Sequence, residues 1–155
     1  VPEDVAAGSD RSRALADRLA EIAIDRQLTV GCAESLTSGA VAARLGATRC
    51  AAQWFRGAVV AYSRQVKHTL LKVPDGPVVC AAAARAMAES SAAVLGADLT
   101  VAVTGVGGPE TQDGRPAGTV WFGVAGLGPT HVEEQRFAGD PVAVLDRPWC
   151  GRWNS

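Results

Sequence analysis

The 155-residue chain has no excess charge of either sign, few aromatic rings and no closely paired cysteines, and each shortage removes a class of function. Fifteen Lys and Arg stand against sixteen Asp and Glu, for a formal net charge of −1. A protein that grips nucleic acid regardless of sequence carries a basic stripe, so no nucleic-acid partner is expected. No apolar run is long enough to cross a bilayer, and no stretch has the charged start and apolar middle of a signal peptide, so no membrane partner is expected either. The four cysteines, Cys32, Cys50, Cys80 and Cys150, form no CxxC pair, which argues against a zinc site or a redox motif and for a reducing, cytoplasmic setting. The two histidines, His68 and His131, sit in no metal-binding or triad context and are expected to face solvent. Neither metal nor cofactor is expected. Internal repeats and low-complexity segments are absent.

What is present is a chain that is 48% apolar and rich in Ala, Val and Gly. That composition and length predict a single α/β domain over 1–155 with a closely packed core. Val1 to Gly8 reads as a loose tail. Ser9 and Asp10 offer caps for a helix with Leu15, Leu19 and Ile22 on one face, ending near Gln27. Leu28 to Ala33 is apolar throughout, as in a strand covered on both faces. A helix from Leu36 to about Leu45 follows, stopped by Gly46. Trp54-Phe55 leads into a strand over Gly57 to Tyr62, and Ser63 can cap a short helix carrying Val66, Lys67, Leu70 and Leu71. After a Pro- and Gly-bearing loop, a helix spans Ala81 to Leu95 with Ala83, Met87 and Val94 inward. Strands are predicted over Asp98 to Thr104, Gly118 to Ala125 and, at an edge, Thr130 to Phe137. The order predicts helices on both sides of a mixed sheet.

Three features fall at strand ends, where open α/β sheets gather ligands. Glu34-Ser35 follows the first strand, Tyr62 with Lys67 follows the second, and Thr104-Gly105-Val106-Gly107-Gly108 follows the third. Ser35 has two readings: its hydroxyl caps the helix, or it is a nucleophile beside N–H groups that stabilise an oxyanion or phosphate. Lys67 is either a solvated surface charge or, if burial or cationic neighbours keep it neutral, the base that activates such a serine. No SxxK spacing joins the two, so a pairing has to be formed in space. The glycine stretch is neither a P-loop nor a dinucleotide fingerprint. It is an ordinary turn or an anion cradle built of backbone N–H groups. Arg56 is a candidate phosphate contact or an exposed surface charge.

Taken in series, Ala33-Glu34-Ser35-Leu36-Thr37-Ser38-Gly39, Trp54 to Ser63 with Lys67, Met87-Ala88, Gly96-Ala97-Asp98, Val103 to Pro109, Pro116 to Trp121 and Phe137-Ala138-Gly139-Asp140 resemble the C-terminal domain of the CinA family, the nicotinamide mononucleotide deamidases. The resemblance implies a compact three-layer α/β/α fold. It implies a metal-free amidohydrolase that converts nicotinamide mononucleotide to nicotinate mononucleotide and ammonia. By the same resemblance Ser35, Lys67 and Tyr62 are catalytic, and Glu34, Thr37, Gly39, Arg56, Thr104, Gly105, Gly107 and Gly108 contact a small-molecule nucleotide substrate. The form resembled is the one standing alone, without an N-terminal nucleotide-processing domain. Departures include Ser38 for a frequent glycine and Cys80 for a helix-capping serine. At 141–155, Pro148 and Gly151 would break the usual long helix while Trp149 and Trp153 add apolar surface, which leaves room for a homo-oligomer. Two other readings stay open: a nucleotide-binding module without turnover, and an interaction domain in a competence or damage context.

Overall fold

A computed structural model of the protein describes residues 3–138. Its elements run α1 (Glu3–Asp25), β1 (Val30–Glu34), α2 (Ala40–Gly46), α3 (Ala51–Trp54), β2 (Phe55–Val60), α4 (Arg64–Thr69), α5 (Ala81–Leu95), β3 (Leu99–Gly105), β4 (Thr119–Ala125) and β5 (His131–Arg136). The strands form one mixed sheet in the order β2-β1-β3-β4-β5. β1 lies parallel to both β2 and β3, whereas β4 and β5 continue antiparallel. Every residue of β1 is buried, as its unbroken apolar run requires of a strand with neighbours on both edges and layers on both faces.

Alternation along the strands divides the core in two. Val30 and Cys32 point towards Ala16, Ala20 and Ala23 of α1, Leu45 of α2 and Trp54 of α3. Ala33, Ala102 and Ala125 point the other way, towards Ala83, Met87 and Ala88 of α5. The result is the α/β/α sandwich expected. Small residues set how closely its layers approach: a Cβ on Gly123 would stand 2.4 Å from the Ala84 carbonyl oxygen, so α5 packs on β4 only because that side chain is absent. Met87, completely buried, contributes roughly 2 kcal/mol through its apolar area alone.

Several expectations are corrected. α1 begins at Glu3, so 3–8 are helical rather than a loose tail. Its buried stripe is Ala16, Ala20 and Ala23, while Leu15 is 44% exposed. Small side chains face the closest contact and the leucines flank it. In α5 Ala83 and Met87 face inward as expected, joined by Ala84, Ala88 and Ser91, with Leu95 touching the Gly31 position, whereas Val94 is exposed. The single turn α3 was not expected, and α2 starts at Ala40 rather than Leu36. Cys80 stands at the N-cap of α5 and makes no side-chain cap bond. The residues from Gly139 onward, with Asp140, Cys150 and the tryptophans at 149 and 153, lie outside the described residues.

Candidate active site

The C-terminal ends of the three parallel strands meet at one level. Glu34 pairs with Val60 on one side and Val103 on the other. Its carbonyl accepts from the Ala61 N–H at 2.8 Å. Ser35, Ala61-Tyr62 and Thr104 therefore emerge side by side from β1, β2 and β3. Lys67 reaches the same edge from α4. Its Nζ donates to the Tyr62 carbonyl oxygen at 3.0 Å.

The turn between β1 and α2 is built on Glu34. Its carboxylate is fully buried and accepts from the N–H groups of Gly39 (2.9 Å), Val41 (3.2 Å) and Ala42 (2.7 Å). The first turn of α2 is thus capped by an acid from the preceding strand, where dipole and orphan N–H groups both favour it. Gly39 is the N-cap residue, and its φ of 97° suits glycine because a Cβ is disfavoured there. This overturns the capping reading of Ser35, which stands four residues earlier. Ser35 and Thr37 are each only 5% exposed. The Thr37 hydroxyl has no hydrogen-bond partner, and among the described residues neither the Ser35 hydroxyl nor the amides of Leu36 and Thr37 have one. Donors not engaged within the protein beside the Ser35 hydroxyl can stabilise a negative charge that develops there. The Cys32 thiol lies 3.9 Å from the Glu34 carboxylate. Burial first, then that neighbouring charge, pushes the thiol up to about 12, so Cys32 is a packed core group and no nucleophile.

Lys67 is 3% exposed. The surface-charge reading is overturned: α4 is a single short helix laid so that this side chain points into the protein. Burial lowers its pKa from the ordinary value of 10.5, the nearby Arg64 guanidinium lowers it further, and Asp113 opposes both. Its acceptor is a neutral carbonyl, which holds the amine in place without stabilising its charge as a carboxylate would. The Tyr62 ring is 69% exposed, so Tyr62 meets Lys67 through its backbone. His68 is half-buried rather than solvent-facing, with Nδ1 2.8 Å from the Val73 carbonyl oxygen. His131 is exposed, as expected.

The third strand end is arranged differently. Thr104 is completely buried, and its hydroxyl donates to the Val78 carbonyl at 2.6 Å. Gly105 ends β3, and a Cβ there would stand 2.8 Å from the Thr119 carbonyl oxygen. The Val106 N–H donates to Thr119, and the Gly118 N–H to Val106 (both 2.9 Å). Gly107 and Gly108 follow on the more exposed side of this turn. Arg56 does not join the site. It lies at the start of β2, four residues before Val60 and thus roughly 13 Å along the strand from it. There it faces Asp98, whose carboxyl is held below its usual range chiefly by the Thr29 amide and hydroxyl, at 2.8 and 2.9 Å, with Arg56 contributing.

Two residues not picked out from sequence belong to this region. Arg64 donates to the Gly76 carbonyl at 2.7 Å and to the Asp113 carboxylate. Asp113 also accepts from the Val78 and Val79 N–H groups at 2.7 and 3.2 Å. The available signal was the Asp-Gly pair at 113–114, a turn marker, which gives no hint of a long-range partner. An open cleft of about 780 Å³ lies between α1 and the α2–α3 connection, bordered by Arg13, Arg44 and Arg49, and none of the strand-end residues above lines it. Among the described residues no cluster of His, Cys, Asp or Glu could hold a metal ion, and no helix is long and apolar enough to cross a membrane.

The model of the CinA C-terminal domain matches residues 12–148. A putative competence-damage inducible protein from Levilactobacillus brevis is 43% identical over 127 residues, which cover 78% of this chain and 30% of that protein. A CinA-like protein from a Geobacter species is 38% identical over 131 residues, covering 80% and 31%. This chain therefore corresponds to about 30% of the length of these curated relatives. The crystal structure of a CinA superfamily protein from Escherichia coli superposes with a TM-score of 0.84 at 33% identity, covering 89% of this chain and 84% of that one. The competence damage-inducible protein A from Klebsiella pneumoniae gives 0.83 at 34%, covering 88% of each. The chain belongs to the CinA C-terminal domain family.

Proposed function

We propose that this CinA-family domain is a cytoplasmic amidohydrolase that converts nicotinamide mononucleotide to nicotinate mononucleotide and ammonia, with Ser35 as nucleophile and Lys67 as base. The observation that carries the reading is a lysine whose pKa burial lowers, so that its neutral amine can take a proton, held by a carbonyl at the strand edge where an unpartnered serine emerges. An amide is a poor electrophile, so hydrolysis needs both an activated nucleophile and a stabilised oxyanion. Neutral Lys67 accepts the Ser35 proton as Oγ attacks the carboxamide carbon. The carbonyl oxygen gains charge beside the free Leu36 and Thr37 amides. Lys67 then gives the proton to the departing nitrogen, ammonia leaves, and water repeats the cycle to free the acid. The pyridine nucleotide as substrate rests on the family resemblance. Glu34 supports the turn rather than touching the nucleotide, and Thr104 supports the loop beside it.

The test is ammonia release from nicotinamide mononucleotide by the purified chain, by Ser35→Ala and by Lys67→Ala. Release by the parent and its loss in both folded variants is expected. A folded parent that binds the nucleotide and releases no ammonia would replace this reading with a binding module.

A further inference from the structure

Away from the strand ends, the cleft of about 780 Å³ between α1 and the α2–α3 connection gathers three guanidinium groups that have no ion-pair partner among the described residues. We infer that this cleft is a second binding site, for a small organic phosphate of about the size of a nucleoside diphosphate, held by Arg13, Arg44 and Arg49. Such a site is independent of the amidase chemistry proposed above.

Arg13, Ala16, Ala20 and Ile24 follow one another at three and four residues, so they share one face of α1. Ala16 and Ala20 belong to the packed cluster that holds Leu45 and Trp54, which makes the floor of the cleft firm, and the half-exposed Ile24 extends it with apolar surface. The opposite wall supplies Arg44, in the last turn of α2, and Arg49, in the connection to α3. Arg44 is half-buried and donates to the Ser9 hydroxyl at 3.5 Å, while Arg13 and Arg49 are exposed and make no contact within the protein. Elsewhere Arg18, Arg64, Arg85 and Arg136 each have a carboxylate partner. Two acids also line the cleft, but Glu21 is paired with Arg18, which leaves Asp17 alone against three guanidinium groups. Like charges converging on one depression repel one another and attract a multiply charged anion, and the planar guanidinium fork matches phosphate oxygens two at a time. The volume falls within the range of about 300–1,000 Å³ usual for small-molecule sites, and the apolar floor suits the carbon skeleton of a phosphate ester better than a bare inorganic ion.

Adenosine diphosphate and inorganic pyrophosphate serve as probes, each titrated at low salt into chain labelled on its alanine methyls and backbone amides and followed by NMR. Adenosine diphosphate is expected to shift the methyls of Ala16, Ala20 and Ala47, which line the cleft, saturably at millimolar concentration or below. Arg44→Gln and Arg49→Gln are each expected to weaken this binding by about tenfold or more, and Asp17→Asn to strengthen it. Added salt weakens it, because the contacts are partly exposed. Pyrophosphate is expected to act on the same residues with lower affinity, since it lacks a body for the apolar floor. The altered side chains are exposed or half-buried, so the variants keep the fold, which thermal unfolding checks. Four results would overturn the assignment: no saturable shift, equal affinity in the parent and both arginine variants, shifts confined to the amides around Ser35, or pyrophosphate binding as tightly as the nucleotide. The titration reads binding without turnover, and the shifts are expected to persist in Ser35→Ala. Failure here and failure of the amidase reading are therefore distinguishable.

Discussion

The ends of β1 and β3 lie side by side on one sheet edge and both carry a hydroxyl residue followed by a tight turn, yet they are built to opposite purposes. After β1, the structural work falls to Glu34, whose carboxylate satisfies three amides of α2 and leaves Ser35, Thr37 and two backbone N–H groups without partners. After β3, the hydroxyl itself does the structural work: Thr104 is bonded to Val78, and the neighbouring backbone is paired with the 117–119 region. An unsatisfied buried polar group costs stability and persists in a native protein where something else satisfies it. The difference therefore separates an edge with free hydrogen-bonding groups, the one proposed to be reactive, from a scaffold edge, although the two read alike as motifs.

The strongest way to break this comparison is to remove both hydroxyls in turn. Ser35→Ala is expected to lower kcat for ammonia release by about 10³-fold or more at little cost in stability. Thr104→Val is expected to cost on the order of 1–2 kcal/mol in denaturant unfolding, because it strands the Val78 carbonyl, and to reduce activity far less. Equal activity losses would erase the distinction. Next in size, Glu34→Gln is expected to destabilise the fold by about 2–3 kcal/mol, since one amide oxygen cannot replace a carboxylate that accepts three N–H bonds. Unchanged stability in chemical unfolding would show that Glu34 is not the cap. Thr37→Val is expected to stabilise the free protein by roughly 1 kcal/mol while weakening substrate binding, the signature of a hydroxyl kept for a ligand. Loss of stability would instead make Thr37 part of the scaffold.

The smallest effect concerns pH. The folded-state pKa of Lys67 lies below the unfolded value, so between the two the unfolded chain binds more protons and stability rises with pH. The penalty is fully present below the folded pKa and gone above about 10.5. Lys67→Met is expected to flatten this slope in thermal unfolding measured across the alkaline range. A slope unaltered by the substitution would mean that the lysine is not desolvated.

Much of this was legible in the chain. The unbroken apolar runs gave β1 and β3, the Gly96 stop gave the end of α5, and Ser63 caps α4 through the Val66 N–H at 3.2 Å as its position suggests. The inward face of α1 and the place of Val94 in α5 differ from expectation because periodicity locates a stripe only to within a neighbouring row, and large apolar residues attract the choice when alanines make the contact. The role of Glu34 was hidden because an acid at a strand end looks the same whether it meets substrate or caps the next helix.

The sequence by itself determined the α/β class, the order of elements and the three strand ends at which polar residues collect, because hydrophobic period and turn chemistry are local properties. Only the tertiary structure decided which of those residues remain available. Lys67 is buried because α4 turns it inward beside β2, Thr104 is engaged because the segment before α5 passes over it, Arg56 is excluded because it sits at the other end of its strand, and Asp113 matters because a distant loop folds back onto Arg64. Each of those outcomes depends on contacts between residues far apart in the chain, and burial and charge at a point are sums over such contacts.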